Sequence, residues 1–80
     1  MDWRKLEERL IQAEKRVLLG EKHIARQREF VIGLERFGNN ADGARGLLEQ
    51  FEAIQKMQIE HRDQLLLKLD KLSARLEAGE

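Results

Sequence analysis

The sequence predicts an all-α fold: an antiparallel two-helix hairpin of coiled-coil type, with two hairpins dimerising into a four-helix bundle. Three observations predict it. Apolar or small residues recur at steps of three and four along both halves of the chain, one cluster of Gly and Asn divides those halves, and no proline interrupts either. The 80 residues are 38% charged and 5% aromatic, rich in Leu, Glu, Lys, Arg, Gln and Ala, which is a long-helix composition and argues against strands.

The first helix is expected over about residues 3–37. Its seam runs Trp3, Leu6, Leu10, Ala13, Val17, Gly20, Ile24, Gln27, Val31 and Leu34. That is a heptad register held for more than four repeats, the mark of a helix packed lengthwise on another. Asp2 is a plausible N-cap. The pattern stops at "RFGNNADGARG". Gly38 suits the left-handed residue that closes a helix, and Asn39 and Asn40 favour a turn over about 38–41. Asn40 is placed to cap the second helix, and Asp42 sits in its first turn, where the helix dipole favours negative charge.

The second helix is expected over about residues 42–77, ending before Gly79. Its apolar series reads Leu47, Phe51, Ile54, Gln58, His61, Leu65, Leu69, Leu72 and Leu76. The two successive steps of four from His61 to Leu69 predict a local stutter. Each helix exceeds thirty residues, so each is on the order of 50 Å long. A short connection makes such helices neighbours.

Folding the hairpin about Asn40 brings residue i level with residue 81 minus i. Gly20, His23 and Gln27 then share a layer with Gln58, His61 and Arg62, with Arg26 nearby. A polar belt of this kind in an apolar seam costs stability but fixes register, because a slipped pairing strands its groups. Gly20 would leave room for His61 or Arg62 opposite.

Apolar residues also lie off the seam. Ile11, Leu18, Ala25 and Ile32 keep strict heptad spacing, with Leu19 beside them, and the second helix adds Leu48, Met57, Ile59, Leu66 and Leu67. The stripe formed by Ile11, Leu18, Ala25, Ile32 and Leu66 is therefore the expected interaction surface. A second copy is the simplest occupant, since twofold dimers are the commonest homo-oligomers. A small regulatory adaptor that uses the stripe to bind another protein is the alternative.

Other chemistries find little support. The chain has no Cys, so it has no disulfide, no thiolate ligand and no cysteine nucleophile. Ser73 is the only hydroxyl side chain, which leaves no nucleophile–histidine–acid set, and we expect no enzyme. Arg26, Arg62, Gln27 and Gln58 resemble an anion-binding bundle interior only loosely. His23 and His61 are the sole candidates for a metal- or ligand-binding bundle, but zinc requires three or four ligands. No cofactor is expected. Net charge is zero, with nine basic and seven acidic residues in 1–40 and six and eight in 41–80. That balance argues against a nucleic-acid partner. The longest apolar runs, "VLL" and "LLL", are far short of the roughly 20 residues of a membrane span, and the charged faces are too mixed for a membrane-surface helix. The start "MDWRKLEERL" lacks the apolar core of a secretory signal, so the expected location is the cytoplasm.

The segments "GEKHIARQRE" (20–29), "LERFG" (34–38), "ARGLLEQFE" (44–52) and "HRDQL" (61–65) carry a resemblance over about residues 20–66. There the chain resembles a group of short, uncharacterised helical-hairpin proteins of alphaproteobacteria of the rhizobial type. The resemblance implies a helical hairpin in a bacterial cytosol and implies no activity. In that group the turn is Gly-His-Asp-Thr-like. Here it is Gly38-Asn39-Asn40-Ala41, and Gly43 stands where an acidic or helix-favouring residue is usual, so the capping differs.

Overall fold

The computed structural model describes residues 3–77 and 79. The expected cap at Asp2 lies outside the described residues. Two helices make up the fold, α1 over Trp3–Arg36 and α2 over Asp42–Glu77, with no strand among the described residues. The molecule is a helical hairpin 64 Å long and 16 by 14 Å in cross-section.

The turn is built by the chemistry of its residues. Gly38 takes φ +73°, a left-handed conformation that costs an L side chain roughly 1–2 kcal/mol. It allows the Asn39 N–H to reach back to the Leu34 carbonyl at 2.8 Å and the Gly38 N–H to the Glu35 carbonyl at 3.1 Å. Those two bonds are the Schellman closure, and they satisfy carbonyls the helix leaves open. On the other side, Asn40 Oδ1 accepts from the Asp42 N–H at 3.0 Å. Ala41, buried beneath the turn, accepts from the Arg45 N–H at 2.8 Å. Arg45 also pairs with Asp42 and with Glu35 across the turn.

Contacts between the helices fall in numerical order. Leu6 clusters with Ala13 and Leu65, with Leu10 and Leu69 packed against them. Further along α1, Val17 meets Gln55, His23 meets Phe51 and Gln27 meets Ala44. Partner numbers thus fall as α1 numbers rise, and the pairs centre near Phe37 rather than on Asn40. The chain reverses beside Gly38, because the left-handed residue there, not the asparagine cap, changes its direction. Gly20 therefore lies against Gln55 and Gln58, not level with His61.

The seam of α1 is the expected one. Leu6, Leu10, Ala13, Val17, Gly20, Ile24, Gln27, Val31 and Leu34 are buried or half-buried, while Trp3 is about half exposed. The seam of α2 differs. Its inward residues are Leu48, Phe51, Gln55, Gln58, Arg62, Leu65, Leu69 and Leu72, an unbroken alternation of three and four. Leu47, Ile54, His61 and Leu76 of the expected series are exposed, and the expected stutter is absent. A strict heptad keeps one line of a helix against its partner over many turns. Two polar residues, Gln55 and Arg62, occupy that line.

Candidate functional site: a polar core and two unlike faces

Gln55 is the one polar residue buried to 6% exposure among the described residues. Its Nε2 donates to the Val17 carbonyl at 2.7 Å. Nearer the turn the gesture is returned: Gln27 Nε2 donates to the Ala44 carbonyl at 2.9 Å. Each bond uses the free lone pair of a helical carbonyl and contributes on the order of 1 kcal/mol. Together they fasten each helix to the backbone of the other at a fixed height.

Gly20 is what allows the first of these bonds. A Cβ at position 20 would run into Gln55 Oε1, with Gln55 Cδ at 2.7 Å and Gln58 Oε1 at 3.0 Å. The glycine makes room for a glutamine amide, not for His61 or Arg62. Gln55 Oε1 meets no hydrogen-bond donor among the described residues. It lies where a side chain at position 20 would start.

The other belt residues are spread out. The His23 ring is 6.0 Å from the Phe51 ring, tilted by 38°. His61 is exposed and lines a cleft of about 370 Å³ with Ala13, Arg16, Ile54, Met57 and Gln58. Arg62 lays its stem over the seam and directs its guanidinium to Asp63 Oδ1, at 3.0 Å from Nη2. Among the described residues no group of three or more His, Asp or Glu side chains is placed to hold a metal ion.

Once the seams are known, every remaining side chain falls on one of two broad faces or on the helix backs. On the first face, Arg16, Leu19, Gly20, His23, Phe51, Ile54 and Gln58 line a cleft of about 180 Å³. It shares Arg16, Ile54 and Gln58 with the His61 cleft, so the two form one continuous groove. Leu47 and Phe30 extend the same line toward the turn by heptad spacing, and both are exposed. On the second face, Ile24, Arg28, Glu52, Gln55, Lys56, Ile59 and Glu60 line a shallow depression of about 430 Å³. The expected interaction stripe, Ile11, Leu18, Ala25, Ile32 and Leu66, borders this second face by heptad position, and all five are exposed.

Charge is divided between these faces. The first face and its edges carry Lys5, Arg9, Arg16, Arg26, Lys68, Lys71 and Arg75, with no Asp or Glu among the described residues. None of the seven is in an ion pair there. The second face and its edges carry eleven carboxylates: Glu7, Glu14, Glu21, Glu35, Asp42, Glu49, Glu52, Glu60, Asp63, Asp70 and Glu77. Against them stand only Arg4, Arg28, Arg45 and Lys56. Two ion pairs that join α1 to α2 lie on the second face, Arg28–Glu52 at 3.8 Å and Glu35–Arg45 at 3.3 Å. A chain of zero net charge is thus electrically two-sided.

Sequence reading misses Gln55 and this division. The signal for Gln55 is present: stepping by three and four from Phe51 to Leu65 without a stutter passes through positions 55, 58 and 62. Dividing the charges by sequence halves hides the sidedness, which appears only when they are sorted around the helices. No helix among the described residues is long and apolar enough to cross a membrane. Comparison with protein-family models, with curated proteins and with solved structures finds no match in any of the three.

Proposed function

We propose that the chain is a non-enzymatic interaction module, an antiparallel helical hairpin that self-associates by stacking its broad faces, so that two copies make a four-helix bundle. One observation carries this reading. Among the described residues the buried core holds only six apolar residues, while thirteen large apolar side chains are exposed, including Leu19, Phe30, Leu47, Ile54 and Met57 on the first face. A chain of this size is marginal with so small a core, and a contiguous apolar groove left in water is a cost that association removes. The descending order of partners along the seam supports the antiparallel arrangement. The cytoplasm of a bacterium as its setting belongs to the same proposal and rests on the resemblance across residues 20–66.

Sedimentation equilibrium over a dilution series tests it. The expected result is a mass of at least two chains that persists on dilution, and a single-chain mass for Ile54→Glu, which alters the face and leaves the seam intact. A folded wild-type monomer at every concentration would overturn self-association. It would favour the adaptor reading, in which exposed Ile11, Leu18, Ala25, Ile32 and Leu66 receive another protein.

A further inference from the structure

We infer that copies of this chain meet by unlike faces: the basic face of one hairpin lies on the acidic face of the next. The inference rests on the self-association proposed above and adds the rule that selects its geometry.

The occupant of the basic face is argued from charge. Pairing two basic faces would set Arg9, Arg16 and Lys68 of one copy among the same residues of another, with no carboxylate between them. Pairing two acidic faces would crowd Glu7, Glu14 and Glu21 of one copy against those of another, on a face whose carboxylates outnumber its cations. Like charges facing one another across a partly dehydrated interface oppose association, and opposite charges steer and orient it. The complement of the basic face is present on the same molecule. Unlike pairing also buries apolar groups from both sides, Leu19, Ile54 and Met57 against Ile11, Leu18 and Leu66, all exposed in the single hairpin.

The size suffices. A face of 64 by 16 Å offers about 1,000 Å² per copy, against roughly 800 Å² per partner in a standard stable interface. A pair joined by unlike faces leaves one basic and one acidic face open, so the contact is heterologous and repeats until a ring closes or a stack extends. The four-helix pair is then the first step of a longer series.

Two charge-reversed variants test the rule. Arg9→Glu/Arg16→Glu/Lys68→Glu leaves the first face with four cations against three carboxylates, and Glu7→Lys/Glu14→Lys/Glu21→Lys leaves the second face close to neutral, so each variant keeps only one strongly charged face. All six positions are exposed and off the seam. Each variant alone is expected to be a monomer at concentrations where the wild type associates, and a one-to-one mixture is expected to re-form complexes. Far-UV circular dichroism confirms that each is helical. A variant that associates alone as well as the wild type overturns the unlike-face rule and leaves self-association standing. A wild type that never associates overturns both. Salt gives a second readout that needs no variant. Raising NaCl is expected to weaken wild-type association, on the order of tenfold in the dissociation constant between low and physiological ionic strength. Association that tightens with salt would indicate like faces and overturn the rule.

Discussion

Gly20 and Gln55 form the most constrained pair in the molecule. Replacing a mid-helix glycine with alanine ordinarily gains about 1 kcal/mol of helix propensity. Here the added methyl would meet the buried amide of Gln55, and overfilling a packed site costs about 1–3 kcal/mol. Gly20→Ala is therefore expected to lower the urea midpoint of unfolding despite the better helix former. If the cause is the amide, Gln55→Ala in the same chain will recover part of the loss, so the double mutant will be more stable than the two single losses added together. Strict additivity would place the cost elsewhere. Surface pairs such as Arg28–Glu52, about half exposed on both sides, contribute far less, about 0–1 kcal/mol.

At the scale of elements, Gly38 and Gly43 act in opposite ways on either side of the turn. Gly38 holds φ +73°, and Gly38→Ala is expected to cost roughly 1–2 kcal/mol because a Cβ is disfavoured in that conformation. Gly43 lies inside α2, and nothing comes within 4 Å of the place a Cβ would take. Gly43→Ala is thus expected to raise the melting temperature, with a gain of up to about 1 kcal/mol. Chemical denaturation of both variants decides the point: equal effects would mean that the closure at Gly38 is not what ends α1. Side-chain fit also explains why the α2 seam departs from the expected one. Leu47, Ile54 and His61 look like a seam because two of them are apolar. Yet Leu48, Gln55 and Arg62 occupy the inward line, since Gly20 admits the Gln55 amide and the Arg62 stem is long enough to bring its charge out to Asp63.

For the whole molecule, stability and assembly are coupled. Leu65 is buried in the principal cluster, and its neighbour Leu66 is exposed on the second face. Leu65→Ala is expected to cost about 2–5 kcal/mol, enough to abolish helical circular dichroism in so small a core. Leu66→Ala should keep the helicity and weaken association instead. Because association stabilises only the folded chain, the wild-type melting temperature is expected to climb with protein concentration. A melting temperature independent of concentration would mean that the hairpin stands alone.

The helical class, the α1 seam from Leu6 to Leu34 and the turn at Gly38 are all legible in the order of the residues, because periodicity and glycine conformation are local properties of the chain. Three other features emerge only when the two helices pack: which residues of α2 face inward, at what height the helices pair, and how the charges separate onto two faces. Those features depend on the fit between two helices. Whether a glutamine can be buried at position 55 is settled by what lies across from it, a glycine and a free carbonyl lone pair, and neither belongs to the helix that carries it.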